Sequence, residues 1–390
     1  MTQRFDVAAV RQEFPVTKQM LYLDSAHQTP LSTRVRAGLN TFYDEAHETA
    51  GPKSVWLARV EKIRSRLAQF LGASADEIAF VRNTSEGLNI AARALPLKAG
   101  DNVLMITGDH PNNAYAFLNL ASRGVETRFV PLTSEVADAA TFRPYIDQKT
   151  RAISLSHVSF HAGHRHDVES VGKLCEERGL FLVVDAMQSV GVLPVNVRKL
   201  GASFLAAGCH KGLLTPQGLG IVYAKRDLEQ LTPAYLALAS LADPPADLIA
   251  KPDKMMLAVG ARRFEYGNYN LPALHGLDGA LGLIEEIGLE NVTGHVLDLS
   301  KRLIAHMDRL GVGIVGPRSR SNLTHIVVLD LQPEWIAYFA GENVRISPER
   351  DGVRVSFGMF NTFEDVDKFA EIVQRGLKML PASKATAKTS

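Results

Sequence analysis

The chain has 390 residues, enough for two domains and a sizeable core. Its 43 basic side chains nearly cancel its 42 acidic ones, so bulk charge gives no reason to expect nucleic-acid or anionic-membrane binding. Two cysteines cannot build a disulfide framework, and a reducing cytosol suits them.

The N-terminal stretch MTQRFDVAAVRQEF breaks every apolar run with charge, unlike a signal peptide. No apolar run in the chain is long enough to span a bilayer. A cytoplasmic globular protein is expected, with residues 1–20 as an N-terminal arm. The first strong helical spacing is Val60, Ile63, Leu67, Phe70 and Leu71, with Gly72 as its stop. Short apolar runs then predict strands at Ile78–Arg82, Val103–Thr107, Thr127–Pro131, Ala152–His157, Phe181–Asp185, Ser203–Ala207 and Ile221–Ala224. Several are apolar on both faces, as buried strands are. Between them Val168, Val171, Leu174 and Cys175 repeat the helical spacing up to Gly179. This alternation argues for an open, largely parallel α/β sheet over 21–245. After the connector DPPADLIAKPD the texture changes. A long helical region from about Leu271 to Leu310, two or more strands, and a helix near Thr362–Leu380 predict a smaller α+β domain over 246–380. Residues 381–390 are expected to form a frayed tail.

In such sheets ligands bind beyond the carboxyl ends of the strands, and four of those ends carry unusual polar groups. IAFVRN runs into TSEGLN, where Thr84 and Ser85 bring hydroxyls and free N–H groups to a helix start. That suits a phosphate, although, taken alone, a plain capping box is the favoured account of it. NVLMITGDH ends in Asp109 and His110, and a lone His there is commonly structural. FLVVDAMQSVG ends in Asp185, with Gln188 three residues on. A carboxylate at the tip of a buried strand is costly without a partner, unless it caps the next turn. SFLAAGCHK ends in His210 and Lys211. A lysine in an apolar, crowded place has its pKa pushed down and becomes an amine nucleophile, unless it snorkels to solvent. Taken together these are the parts that pyridoxal 5′-phosphate (PLP) needs: a lysine for its aldehyde, an acid for its pyridine nitrogen, and donors for its phosphate.

The chain resembles the class V aminotransferase family of fold-type-I PLP enzymes, which includes cysteine desulfurases, selenocysteine lyases and isopenicillin-N-epimerase-like proteins. The resemblance runs over roughly 21–378, on YLDSAHQTPLS, RNTSEGLN, GDHPNN, VVDAMQSVG, GCHKGLLTPQGLG, RRFEYGNYN and VRVSFGMFNTFEDVD. It implies Lys211 as the Schiff-base lysine, Asp185 as the acid on the pyridine nitrogen, and Gln188 as the donor to the ring hydroxyl. It also implies His110 as the ring that stacks on the cofactor, and Thr84, Ser85 and His210 as phosphate ligands. Asn268, in RFEYGN, corresponds to a phosphate ligand given to the partner subunit, so a homodimer with shared sites is expected. Arg354 corresponds to the arginine that binds a substrate carboxylate. On the strand pattern, Val353, Val355 and Phe357 point to one face and leave Arg354 and Ser356 on the other.

The sequence also departs from the family. The stretch GENVRISPERDGVRVS is short and lacks the nucleophilic Cys of the desulfurases, which argues against a Cys-dependent desulfurase. Gly208 stands where relatives often carry a phosphate-binding Ser, and Phe160 where many have Asn. His27, where relatives often have Ala, is either a substrate-side specificity residue or a turn residue. His161, His164 and His166 in HAGHRHD resemble a metal cluster in spacing, but no metal is assigned. The expected activity is that of an aminotransferase on an amino acid or related amine. Epimerisation and C–S or C–Se β-elimination use the same cofactor chemistry and stay open. A non-catalytic PLP-binding module would be expected to have lost the lysine or its acid, and both are present.

Overall fold

A computed structural model describes residues 5–228 and 231–381 of the chain. Seven strands form the large sheet: β1 (Ile78–Val81), β2 (Asn102–Ile106), β3 (Glu126–Val130), β4 (Thr150–Ser156), β5 (Phe181–Asp185), β6 (Phe204–Gly208) and β7 (Gly220–Ala224). Their order across the sheet is β1-β7-β6-β5-β4-β2-β3. Strand β7 runs antiparallel to both of its neighbours and the rest pair in parallel. All the expected strands are present, each within a residue or two of its expected ends.

The pleat explains why these strands read as unbroken apolar runs. Leu104 and Ile106 enter one apolar cluster while Val103 and Met105 enter another, and Ile221 and Tyr223 alternate with Val222 and Ala224 in the same way. On one face lie helices α1 (Lys53–Leu71), α4 (Val168–Arg178) and α5 (Leu271–Ile287); on the other lie α2 (Thr84–Ala94) and α3 (Pro111–Leu118). Helix α2 approaches closely because Gly87 has no side chain. A Cβ there would stand 2.7 Å from Val222 Cγ2 and 2.8 Å from Ala206 Cβ.

The expected helical region from Leu271 to Leu310 is present as two helices, α5 and α6 (Leu289–Leu310). Gly288, at φ 84°, makes the break with a backbone conformation that costs other residues strain. Helix α5 contributes Leu274, Leu277, Leu281 and Ile284 to the large sheet's core, whereas Leu299, Leu303 and Met307 of α6 join the core of the second sheet. We therefore propose that the two units divide near Gly288, later than the change of texture at 245/246 suggests.

The second sheet holds β8 (Ile314–Val315), β9 (Ile326–Leu329), β10 (Ser347–Glu349) and β11 (Gly352–Ser356), in the antiparallel order β10-β11-β9-β8. Val353 and Val355 face its core as the alternation requires. Arg354 and Ser356 on the other face are buried as well, because that face packs on the segment after Leu21–Tyr22: the Ala26 N–H donates to Ser356 Oγ at 2.8 Å. Helix α7 (Phe363–Gly376) starts at Thr362, whose side chain accepts from Asp365 N–H. Among the described residues no helix is long and apolar enough to cross a membrane. Of the expected tail, residues 382–390 lie outside the described part of the chain, as do residues 1–4 of the expected arm.

Candidate active site

The carboxyl ends of β1, β2, β4, β5 and β6 open on one pocket of about 160 Å³. Thr84, Ser85, His110, Asp185, Gln188, His210 and Lys211 all line it, with Met187, Ser156 and Phe160 among the others.

Lys211 follows β6 and is partly buried at the pocket wall. Burial lowers its amine pKa from 10.5 to about 8; nearby Arg354 pushes the same way, and Asp185 and Asp24 pull back. Asp185 ends β5 and is 5% exposed. Burial is the main cause that raises its carboxyl to about 7, although its Oδ1 accepts the Met187 N–H at 2.9 Å. Among the described residues no cation stands at contact distance from Asp185, and a protonated ring nitrogen would supply one. Gln188 donates Nε2 to the Ala26 carbonyl at 3.0 Å, which leaves its Oε1 buried without a partner. The atom of Gln188 that remains free is therefore an acceptor, suited to accept a hydrogen bond from a ring hydroxyl rather than to donate one to it as expected.

His110 caps α3, and its Nδ1 accepts the Asn112 N–H at 3.1 Å, so in the neutral ring the proton belongs on Nε2. Burial, followed by Lys211, lowers its pKa and keeps it neutral. Its ring meets Phe160 edge-on at 4.7 Å. Asp109 holds this corner together: its carboxylate accepts from Ser156 N–H at 2.9 Å, Asn113 Nδ2 at 3.1 Å and the Ser156 hydroxyl. Asp109 was visible in the sequence as an acid beside His110; its task of fixing the strand ends was not.

Thr84 and Ser85 occupy the first turn of α2, whose cap Asn83 accepts from Glu86 N–H at 2.9 Å. Backbone N–H groups in a first turn have no acceptor within the helix, and here they border the pocket beside His210. Burial lowers the His210 pKa to about 4, so the ring is neutral near pH 7. The absence of Ser at 208 has a packing cause. A Cβ on Gly208 would lie 3.0 Å from Met187 Sδ and 3.3 Å from Thr84 Oγ1. Met187 fills that corner, and the Gly208 N–H donates to Thr84 Oγ1 at 2.8 Å.

Three expected site residues lie outside the pocket lining. His27 is exposed in a turn closed by its N–H on the Asp24 carbonyl at 3.0 Å, near enough to His210 to affect its titration. Asn268 is exposed in a separate groove with Arg82, Gly218 and Tyr269. Arg354 lies behind Phe160. Its Nη1 donates to the Phe160 carbonyl at 3.0 Å and to Glu349 Oε2 at 3.2 Å, and Asp24 Oδ1 stands 3.9 Å from Nη2. The hairpin that carries Glu349 and Arg354 reaches the pocket rim: Arg350 lies 5.4 Å over the Phe160 ring and donates to the Gly108 carbonyl at 3.1 Å. No local pattern in the sequence marks the Glu349–Arg354 pair.

Two of the three histidines of HAGHRHD, His164 and His166, contact the neighbouring backbone, while His161 Nδ1 is buried without a hydrogen-bond partner among the described residues. His166 Nδ1 accepts the Ala137 N–H at 2.9 Å, and His164 Nδ1 contacts the Glu135 carbonyl. Among the described residues no group of three His, Cys, Asp or Glu side chains is placed to hold a metal.

Residues 21–369 match the model of the class-V aminotransferases. An uncharacterized aminotransferase of Schizosaccharomyces pombe is 33% identical over 95% of this chain and 96% of its own. The apo cysteine desulfurase of Thermococcus onnurineus superposes with a TM-score of 0.87, at 27% identity, over 96% of this chain and 98% of its own. A C-DES variant with glycine covalently linked to its PLP cofactor has the same fold, at a TM-score of 0.86 and 21% identity over 93% of this chain and 98% of its own. The free acceptor on Gln188, the cation-seeking Asp185 and the lowered amine of Lys211 all fit that cofactor. The chain belongs to the class V aminotransferase family and is a fold-type-I, PLP-dependent enzyme.

Proposed function

We propose that this enzyme moves an amino group between an amino acid or related amine and a keto acid. The observation that carries this reading is the make-up of the pocket. It has one amine of lowered pKa and, among the described residues, no thiol in its lining. Cys209 and Cys175 are 0% and 2% exposed, and burial pushes both thiols far from ionisation. The 33% identity to a protein named as an aminotransferase supports the same choice. Two buried free thiols also suit a reducing cytoplasm.

Bound here, PLP would supply an electrophilic carbon for the incoming amine and an electron sink for the charge left on the substrate carbon. Lys211 would hold it at the carbonyl carbon, and Asp185 would keep its ring nitrogen protonated. Thr84, Ser85 and His210 would take the phosphate, Gln188 the ring hydroxyl, and His110 one face of the ring. Once displaced, Lys211 would take the proton from the substrate carbon and deliver it to the cofactor's former carbonyl carbon, the shift that nitrogen transfer requires. The test is to incubate the holoenzyme with a panel of ¹⁵N-labelled amines and keto acids. Label appearing in the acceptor supports the reading. Loss of α-hydrogen without a keto product would replace it with epimerisation, and sulfide release from cysteine with β-elimination.

We propose further that the enzyme is a homodimer in which Asn268 serves the partner's phosphate site. Its exposure, apart from this chain's own pocket, supports that. So does the apolar exposed surface close by, with Leu236, Leu238, Leu248, Ile249, Met255 and Met256 all at least 46% exposed. Asn268→Asp would then bring a negative charge to the phosphate. It is expected to weaken cofactor retention about tenfold or more in dialysis against a competing carbonyl reagent, while sedimentation still reports a dimer. Unchanged retention, or a monomeric wild type, would remove the shared-site reading.

A further inference from the structure

Arg354 is 6% exposed and already meets two carboxylates before any substrate enters. Burial lowers its pKa while Glu349 and Asp24 oppose that shift, and its Nε is buried with no hydrogen-bond partner. The two acids differ in how firmly they are held. Asp24 is 1% exposed and locked, with Oδ1 accepting from Ser347 Oγ at 2.6 Å and Oδ2 facing Arg345 Nε at 3.4 Å. Glu349 ends β10 beside the exposed turn residues Arg350 and Asp351, and among the described residues its one further acceptor contact is the Arg350 N–H at 3.1 Å. A substrate carboxylate arriving at Arg354 would be a third negative charge around one guanidinium. One acid has to leave, and Glu349, whose side chain is 11% exposed against 1% for Asp24, is the less enclosed.

We propose that Glu349 stands in for a substrate carboxylate. It neutralises Arg354 when the bound amine has no carboxylate there, and it is displaced when the substrate has one. This rests on Arg354 being the substrate-carboxylate arginine of an amine-binding site. It defines a substrate class: the pocket takes both amino or keto acids and amines without an α-carboxylate, in turn. An amine donor would be oxidised to its aldehyde or ketone, and a keto acid acceptor reduced to its amino acid, with the amino group carried between them and no outside oxidant. Glu349 is a positioning residue, because it acts through Arg354.

The test is spectral titration of the holoenzyme, following the visible cofactor band, with the matched pairs L-alanine and ethylamine, and L-phenylalanine and phenethylamine. In the wild type the two members of a pair are expected to bind within about tenfold of each other. Glu349→Gln removes the competing charge, so it is expected to tighten the amino acid about tenfold or more and leave the amine unchanged. Glu349→Asp keeps a charge on a shorter arm and is expected to return toward the wild-type ratio. If Glu349→Gln shifts both members equally, or neither, Glu349 does not compete for Arg354 and the proposal fails while the amine site stands. If no amine perturbs the band in any variant, the amine-site reading fails and this proposal with it.

Discussion

Replacing Lys211 by alanine is expected to lower turnover at least about 10³-fold, within the range measured for loss of a positioned proton-transfer group. The same change is expected to let the cofactor dialyse away. The physical cause is the lysine's setting. It follows β6, where the apolar Ala206 and Ala207 precede it, and burial lowers its amine pKa from 10.5 to about 8. Near neutral pH a far larger fraction is free base than in a surface lysine. The rate of PLP capture by the apoenzyme should therefore rise with pH and level off above about 8. The same shift acts on stability. Between pH 8 and 10.5 the unfolded lysine still holds its proton while the folded one has lost it, so the unfolded state binds more protons and stability rises with pH across that window. Below pH 8 the fold carries the whole penalty of a buried ammonium. The apo form of Lys211→Met is therefore expected to melt above the wild-type apoenzyme at pH 7, with the gap closing toward pH 10.5. Equal melting temperatures at pH 7 would mean that the ammonium is as well solvated in the pocket as in water. A variant that still transfers nitrogen at the wild-type rate would remove Lys211 from the chemistry.

Much of this site was legible because it is built from strand ends. A strand covered on both faces must be apolar throughout, so its polar terminus stands out: Asp109–His110 after β2, Asp185 at the end of β5, His210–Lys211 after β6. What stayed hidden depends on contacts between distant parts of the chain. Met187 fills the corner at Gly208 across 21 residues, and Arg354 finds the Phe160 carbonyl across 194. No local pattern encodes either. Arg354 was read correctly as lying opposite Val353 and Val355. Periodicity gives the face of a strand, but what covers that face depends on another segment, here the turn at Asp24–Ala26. The break inside the Leu271–Leu310 helical region was hidden for a different reason. Its apolar spacing continues through Gly288, and only the backbone conformation that this glycine adopts tells one helix from two.

Glu265→Ala is expected to cost about 3–5 kcal/mol, the range for removing one partner of a buried ion pair. The motif RRFEYGNYN places this glutamate three residues before Asn268. Glu265 meets Arg64, 201 residues away in sequence, with contacts of 2.7 and 3.2 Å; the side chains are 2% and 1% exposed. The pair closes the edge of the large sheet. Strand β1 has no neighbour on its outer side, yet its Phe80 N–H donates to Glu265 Oε1 at 2.8 Å and its Ile78 carbonyl accepts from Arg64 Nη1 at 2.7 Å. Tyr269 adds its hydroxyl to Glu265 Oε2 at 2.8 Å. Alanine would leave a guanidinium in the core whose near partners, among the described residues, are the Ile78 carbonyl, the Tyr269 hydroxyl, the Phe80 ring and the half-exposed Glu61. It would also leave a strand N–H without an acceptor. A surface pair gives the scale: Arg302 and Asp367, 42% and 36% exposed, are expected to lose less than about 1 kcal/mol when one partner is truncated. Denaturant unfolding of the two apo variants side by side makes the comparison. Adding Arg64→Met to Glu265→Ala removes the stranded charge and is expected to recover part of the loss. A Glu265→Ala protein no less stable than the Asp367→Ala control would mean that water reaches Arg64, and the sheet edge would then owe its order to the apolar packing of Phe80 and Tyr269 alone.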